Sequence, residues 1–210
     1  MYNDITGIIL SGGKSTRMGQ DKSFLKFGNQ TVIEHISELM KSIFKDVIII
    51  TNDPEKYKSL GLKCYEDILK GIGPLGGIHS GLTHSENELN FIISCDIPFI
   101  TNDVIEFIIN QKKDNDIVVT RADGFIQQLC GLYRKRLLPK INEMISESIE
   151  NETRNVDQNK RKCKVLSLID RVDTKIIDIE KEFLNYKPGT FFNMNKPDEY
   201  DLAIKILNNI

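Results

Sequence analysis

Short apolar runs that alternate with helix-like segments are the feature that most constrains the fold of this chain. The runs Ile5–Ser11, Asp46–Thr51 and Leu89–Ser94 lack the polar alternation of half-exposed strands, which indicates strands buried on both faces. Apolar residues at helical spacing over Thr31–Phe44 predict a helix after the first run. This order predicts an α/β fold with a mostly parallel, doubly wound sheet, because helices that connect parallel strands cover both faces of the sheet.

The same patterns place the remaining elements. Further strands are predicted at Lys63–Tyr65, Asp116–Arg121, Ile126–Tyr133, Lys175–Ile179 and Phe191–Met194, and further helices at Ile78–His84, Thr101–Ile109, Leu137–Ile145 and from Pro197 onward. The charged stretch Asn151–Lys164 predicts a loop or the solvated start of a helix. Ligands of such sheets bind beyond the carboxyl ends of the strands. Residues that follow Ser11, Thr51 and Ser94 are therefore expected to converge on one crevice.

Length, charge and cysteine spacing narrow the class of protein. At about 150 residues per domain, the 210 residues predict a single domain over 1–210. The 28 basic and 30 acidic residues give a net charge of −2, which argues against nucleic acid as a partner. No apolar stretch approaches the roughly 18 residues of a membrane span. The four cysteines are too far apart for a zinc or disulfide pattern, and free thiols suit the cytoplasm, where the chain is expected to act.

A glycine turn with two cations follows the first strand. Gly12 and Gly13 let the backbone turn sharply after Leu10–Ser11 and approach a ligand closely. Arg17 and Lys22 lie a few residues further on and are suited to phosphate oxygens. The glycine spacing matches neither a Walker loop nor a dinucleotide-binding turn. Phosphate binding is favoured over a solvated glycine turn, because position, glycines and charges agree.

Polar side chains follow the other two buried strands. Asp96 could coordinate Mg²⁺ that bridges ligand phosphates, or it could form a turn before Pro98, and its position opposite the glycine turn favours the metal. Asn52 and Asp67 also point toward the predicted crevice. The carboxylate of Asp67 could accept hydrogen bonds from the N1–H and 2-amino groups of guanine, although a solvated loop residue fits the sequence equally well.

Two further segments carry candidate ligand contacts. The predicted strand near the end of the chain places Asn193 and Asn195 on one side, where amide oxygens could complete a metal shell or hold a substrate. Asn195 could instead cap the last helix. The glycine-rich segment Gly73–Gly81 could face a base or ribose, or serve close packing alone. Four reactive side chains are expected to have no catalytic role: His35, His79, His84 and Cys95.

Five blocks of this sequence resemble, in order, the molybdenum cofactor guanylyltransferases. They are LSGGKSTRMGQDKSFL at Leu10–Leu25, GPLGGIHSGL at Gly73–Leu82, SCDIPFI at Ser94–Ile100, IQQLCGLY at Ile126–Tyr133 and FFNMNKPDEY at Phe191–Tyr200. The resemblance covers nearly the whole chain and implies a single Rossmann-like nucleotidyltransferase domain. It also implies transfer of GMP from GTP to molybdopterin, with release of pyrophosphate and formation of molybdopterin guanine dinucleotide.

The resemblance also implies roles for individual residues. Carried over position by position, it places GTP against Leu10, Ser11, Gly12, Gly13, Lys22, Asn52, Asp67 and Asp96. It makes Arg17, Lys22 and Asp96 catalytic, with both cations on the triphosphate and Asp96 on the implied cofactor Mg²⁺. Asn193 and Asn195 would lie near the acceptor, in a C-terminal part that binds molybdopterin. Transient docking to molybdoenzymes or to other cofactor-biosynthesis proteins would accompany the reaction.

Three departures from the family pattern are visible. Ser11 stands where the family commonly has Ala, and Gln128 stands where Pro is usual. A Gly-x-Arg element that the family has before its late helix is not clear in Asn151–Lys164. The last two regions face the acceptor in the family. The assignment of the acceptor therefore rests on fewer matching residues than the assignment of the nucleotide does.

Two other functions remain open at this point. The first is a related nucleotidyltransferase that uses CTP or a sugar phosphate, although the pair Gly12–Gly13 resembles the guanylyl branch more closely. The second is a noncatalytic adaptor that binds a nucleotide or cofactor. Loss of Arg17, Lys22 or Asp96 would indicate such an adaptor, and all three residues are present.

Overall fold

The computed structural model describes residues 1–12, 21–153 and 164–208, with residues 151–153 described as backbone. Its strands are β1 (Tyr2–Ser11), β2 (Lys26–Phe27), β3 (Gln30–Thr31), β4 (Phe44–Thr51), β5 (Lys63–Glu66), β6 (Leu89–Ser94), β7 (Ile117–Ala122), β8 (Phe125–Arg134) and β9 (Thr174–Asp178). Its α-helices are α1 (Val32–Ile43), α2 (Pro74–His84), α3 (Asn102–Asn110), α4 (Leu138–Thr153), α5 (Val165–Ile169), α6 (Ile179–Glu182) and α7 (Pro197–Leu207).

The main sheet has seven strands in the order β5-β4-β1-β6-β8-β7-β9. Neighbours from β5 to β6 are parallel, as are β7 and β9, whereas β8 runs antiparallel to both of its neighbours. The prediction of a mostly parallel sheet is therefore confirmed. In this register Leu10 lies between Ile50 and Ser94, so the carboxyl ends of β1, β4 and β6 meet at one edge.

Helices cover both faces of the sheet, as the apolar runs predicted. Along β1, Ile5 and Ile9 pack into one core with α1 and α3, while Ile8 and Leu10 pack into another with α2, α4 and α5. Because successive side chains of a strand point to opposite faces, a run without alternation satisfies both cores.

Helix α1 begins with a reciprocal cap, which the apolar spacing that predicted this helix does not show. The Thr31 hydroxyl accepts a hydrogen bond from the Glu34 amide at 3.3 Å, and the Glu34 carboxylate accepts one from the Thr31 amide at 2.7 Å. Such a box satisfies two amide groups that a helix start leaves free. It also fixes the point where the short β2–β3 hairpin enters α1.

The predicted strand Phe191–Met194 is wrong. This segment has irregular backbone, and its link to the sheet end is a bond from the Met194 amide to the Asp96 carbonyl at 2.9 Å. One such bond holds the segment beside Asp96 without the repeated pairing that defines a strand. Helix α2 begins at Pro74 and not at Ile78, because proline is well accommodated in the first helical turn.

Other boundaries differ at short or polar elements. The β2–β3 hairpin and the 3₁₀ segment Pro54–Leu60 were not predicted, because elements of so few residues carry little periodicity. Helix α4 continues to Thr153, beyond the predicted end at Ile145 and into the stretch predicted as a loop or the solvated start of a helix. Within the described ranges, none of the helices has the length and apolar character needed to cross a membrane.

Candidate active site

A cavity of about 500 Å³ opens at the carboxyl ends of β1 and β4. Its lining includes Leu10, Gly12, Asn52, Asp67, Gly73, Gly77, Ser94 and Leu129. Four of the predicted nucleotide contacts, namely Leu10, Gly12, Asn52 and Asp67, thus lie around one cavity. The ends of parallel strands place them there. Leu10 and Gly12 flank the last residue of β1, Asn52 follows β4, and Asp67 follows β5.

Asp67 contributes a buried acceptor to the lining of this cavity. Its Oδ1 atom is buried and has no hydrogen-bond partner among the described residues. Burial raises the pKa of the Asp67 carboxyl, and the nearby charge of Lys70 lowers it in part. A buried acceptor without a partner costs free energy, about 1–3 kcal/mol. A ligand with two parallel donors would remove that cost.

Two glycines border this carboxylate in the cavity wall. A Cβ at Gly77 would lie 3.4 Å from Leu10 Cδ2 and 3.7 Å from Asp67 Oδ1. A Cβ at Gly12 would lie 3.6 Å from Asn52 Nδ2 and 4.0 Å from Asp67 Oδ2. All four distances are ordinary van der Waals contacts, so a methyl group would fit at either position and would take up space beside the carboxylate.

A second group of side chains lies at the ends of β1 and β6. The Lys22 ammonium contacts the Asp96 carboxylate and donates to Asn195 Oδ1 at 3.1 Å. The Ser94 hydroxyl donates to the other oxygen, Asp96 Oδ1, at 2.5 Å. Asp96 is 7% exposed and Lys22 is 22% exposed, so water screens this ion pair less than it screens a surface pair. The cluster therefore joins residues from three distant parts of the chain.

The oxygens of this cluster fit a hard divalent cation. Asp96 supplies a carboxylate and Asn195 an amide oxygen, and the Lys22 ammonium bound to both shows that their joint site attracts positive charge. Magnesium in phosphate-transfer sites is commonly held by one or two carboxylates, waters and substrate phosphates. Among the described residues, no group of three or more His, Cys, Asp or Glu side chains could hold a metal ion.

Ser11 connects the site to the protein interior. Its hydroxyl lies 2.7 Å from Ser23 Oγ, 2.9 Å from the Tyr57 hydroxyl and 3.4 Å from Cys95 Sγ. This side chain is committed to buried contacts, so a nucleotide contact at position 11 would use the backbone. Burial raises the pKa of the Cys95 thiol, which agrees with the packed, unreactive role expected for it.

The remaining predicted site residues divide into three cases. Asn195 belongs to the ion-pair cluster through its side chain. Its backbone N–H donates to the Glu199 carboxylate in the first turn of α7 at 2.6 Å. Asn193 is exposed, two residues from Asn195. Gly13 and Arg17 lie outside the described residues.

Sequence reasoning missed Ser94, which bonds the Asp96 carboxylate directly. Its position two residues before Asp96, at the end of a strand, would have been the clue. The histidines expected to be inert behave in different ways. His84 stacks on Tyr65 with ring centroids 3.9 Å apart, whereas His35 uses both ring nitrogens in hydrogen bonds.

Fold and site together define an α/β domain with a cavity and a cation-attracting carboxylate at the edge of its sheet. The comparisons with known proteins agree. A family profile described as "MobA-like NTP transferase domain" matches residues 7–162. The chain belongs to this family of nucleotidyltransferases, and curated relatives of the chain are named probable molybdenum cofactor guanylyltransferases.

Individual relatives are similar over most of their length. A probable molybdenum cofactor guanylyltransferase of Clostridium perfringens (strain 13 / Type A) is 35% identical over 94% of both chains. One from Peptoclostridium acidaminophilum is 36% identical, covering 92% of this chain and 86% of that protein. The crystal structure of molybdopterin-guanine dinucleotide biosynthesis protein A from Archaeoglobus fulgidus superposes with a TM-score of 0.78 at 21% identity, covering 98% of this chain and 100% of that one.

The fold is shared more widely than the family. A cytidylyltransferase from Leptospira borgpetersenii superposes with a TM-score of 0.71 at 12% identity, covering 100% of this chain and 88% of that one. The α/β nucleotidyltransferase fold predicted from sequence is thus confirmed. Fold alone does not select the base, so the choice of nucleotide must be argued from the cavity.

Proposed function

We propose that this chain transfers GMP from GTP to molybdopterin, releases pyrophosphate and forms molybdopterin guanine dinucleotide. The observation that carries the proposal is the buried Asp67 oxygen without a partner in a cavity bounded by Gly12 and Gly77. Guanine presents N1–H and a 2-amino group side by side, which match the two oxygens of one carboxylate. Cytosine lacks this pair of donors, so the cavity favours GTP over CTP.

The proposed reaction is an in-line displacement at the α-phosphorus. A phosphate oxygen of molybdopterin forms the new bond to the α-phosphorus, and the bond to the β-phosphate oxygen breaks as pyrophosphate leaves. The acceptor phosphate is already ionised, so no general base is required. Catalysis then rests on positioning the substrates and neutralising their charge. Together these effects can account for most of the rate enhancement in phosphoryl-type transfer.

Each residue has a defined part in this proposal. Lys22 holds phosphate oxygens, and Arg17, which lies outside the described residues, is proposed to do the same. Asp96, with Asn195 beside it, would hold Mg²⁺, which when bound neutralises phosphate charge. Lys22 contacts this carboxylate in the structure. In the proposal it would therefore lie between the metal and the triphosphate.

The two halves of the chain would divide the substrates. The N-terminal part carries the nucleotide cavity, and we place molybdopterin toward Asn193 and Asn195 in the C-terminal part, as one domain over 1–210. The free thiols of Cys64, Cys95 and Cys130 suit the cytoplasm as the site of action. Docking to molybdoenzymes or other cofactor-biosynthesis proteins stays a prediction.

A nucleotide panel tests this function. Protein, Mg²⁺ and molybdopterin are mixed with GTP, CTP, ATP or UTP, and pyrophosphate and the dinucleotide product are both measured. We expect GTP to be preferred by at least about a hundredfold, because a site built to accept paired donors rejects bases that lack them. Preference for CTP, or product formation with a sugar phosphate in place of molybdopterin, would reject the assignment. Tight nucleotide binding without any product would indicate the noncatalytic adaptor.

The affinity for GTP should depend on the ionisation of Asp67. Burial raises the pKa of this carboxyl, and only the ionised form accepts both guanine donors. As pH falls through the raised pKa, the carboxylate is protonated and affinity is lost, at a higher pH than an exposed aspartate would require.

Calorimetric titration with GTP from neutral to mildly acidic pH measures this dependence. Asp67→Asn should bind GTP about tenfold or more weakly at neutral pH, with little further change on acidification. The wild type should converge toward the variant as pH falls. Equal pH profiles for the two proteins would remove Asp67 from base recognition.

A further inference from the structure

A small hydrophobic core lies apart from the two that cover the sheet, beside the ion-pair cluster. Its buried members are Phe27, Val32, Met194 and Ala203. Phe27 follows Lys22 by five residues, and Met194 directly precedes Asn195. Phe99, three residues after Asp96, packs against the same core, with its ring centroid 5.5 Å from that of Phe27. This core therefore joins the chain segments that carry Lys22, Asp96 and Asn195.

His35 supplies the polar connection between two of these segments. It lies on α1, and its ring centroid is 5.1 Å from that of Phe27. The Nε2 atom lies 3.0 Å from the Pro98 carbonyl oxygen, and the Nδ1 atom lies 3.0 Å from Gln30 Nε2. Because a carbonyl only accepts and this amide nitrogen only donates, Nε2 carries the proton and Nδ1 accepts. The ring thus bridges the two partners in its neutral form.

The two partners of His35 belong to the two chain segments that carry Lys22 and Asp96. Pro98 belongs to the loop that contains Asp96, and one residue, Cys95, separates Asp96 from the end of β6. Gln30 lies on β3, at the end of the segment that starts at Lys22. The ring can therefore set how far the Lys22 segment lies from the Asp96 loop, although it touches neither reacting side chain.

We propose that His35 is a positioning residue, which holds the Lys22 segment and the Asp96 loop at the separation that the transfer reaction requires. The inference rests on the proposed function for its catalytic consequence. Errors of about 1 Å in the placement of catalytic groups can cost about a hundredfold in rate. Loss of the bridge should lower kcat, while the nucleoside cavity around Asn52 and Asp67, on the far side of β1, should keep its affinity for GTP.

Three variants separate positioning from simple stability. His35→Phe keeps a flat ring and removes both hydrogen bonds. His35→Gln retains a side-chain N–H that can reach the Pro98 carbonyl. His84→Phe is the matched control, because His84 is a stacked histidine on α2, remote from Lys22 and Asp96 in the contacts that the structure describes.

We expect His35→Phe to lower kcat about 10- to 100-fold, with KM for GTP changed by less than about twofold. His35→Gln should recover most of the lost rate, and His84→Phe should match the wild type. Unchanged kcat in His35→Phe would overturn the proposal. Equal loss in the Phe and Gln variants would also overturn it, because the bond to Pro98 would then carry no part of the effect.

Amide hydrogen exchange provides a readout that needs no substrate. In His35→Phe, exchange should become faster in residues 22–31 and 96–101 and stay unchanged in β1 and β4. Faster exchange throughout the sheet would show a purely structural role and overturn the proposal. If the wild type proves inactive with GTP, the proposed function fails, and the local exchange result still decides whether His35 fixes these two segments.

Discussion

Asp96→Asn should abolish guanylyl transfer while leaving the fold intact. Asparagine keeps the size of the side chain, so the position at the end of β6 stays filled, but it removes the charge that faces Lys22 and the proposed Mg²⁺. Loss of a metal-binding carboxylate in phosphate transfer is expected to lower the rate by about a thousandfold or more. Pyrophosphate release under saturating GTP and molybdopterin measures the effect.

Stability must be measured together with this rate. The Asp96–Lys22 contact is partly buried, so its loss should cost about 1–3 kcal/mol in the free energy of unfolding, which denaturant titration can resolve. Asp103→Asn is the matched control, because Asp103 is exposed in the first turn of α3. A variant that retains the wild-type rate at all Mg²⁺ concentrations would remove Asp96 from the metal site.

Lys22→Met should lower kcat by about a hundred- to a thousandfold. Methionine retains the length and apolar stem of lysine and removes the ammonium, which is expected to neutralise charge on the triphosphate as the α-phosphorus is attacked. The variant also frees Asp96, whose remaining side-chain partner among the described residues is the Ser94 hydroxyl. Stronger binding of Mg²⁺ by the free enzyme is therefore expected alongside the slower reaction.

Lys26→Met provides the comparison for this experiment. Lys26 lies on the same segment, four residues after Lys22, and is exposed on β2. Its substitution should leave both kcat and KM within about twofold of the wild type. If Lys22→Met and Lys26→Met behave alike, the contact between Lys22 and Asp96 serves stability alone.

The buried strands could be read from sequence with good accuracy. The prediction for Leu89–Ser94 matches β6 at both ends, because residues that must satisfy two cores form an uninterrupted apolar run. The cavity proposed to bind the nucleotide could be anticipated for a related reason. Residues that follow parallel strands share one sheet edge, so Gly12, Asn52 and Asp67 were expected to converge, and they line one cavity.

Elements held by isolated contacts could not be predicted in this way. A strand was predicted at Phe191–Met194, yet this segment is held beside the site by burial of Phe191 and Met194 and by one bond to the Asp96 carbonyl, with no strand pairing. The β2–β3 hairpin has two residues in each strand, which is too few for a period to appear. His35 was expected to have no catalytic role, because no sequence pattern shows that its ring contacts Gln30 on the hairpin and Pro98 in the loop after β6.

By itself, the sequence determined the fold class, the sheet edge where ligands bind and the residue types available there. Only the tertiary structure decided which of them act together. Lys22 and Asp96 are 74 residues apart in the chain, and their contact depends on the third small core and on the order of β1 and β6 in the sheet. Local periodicity reports how a segment is buried, whereas the partner of a charged side chain is set by packing between segments distant in sequence.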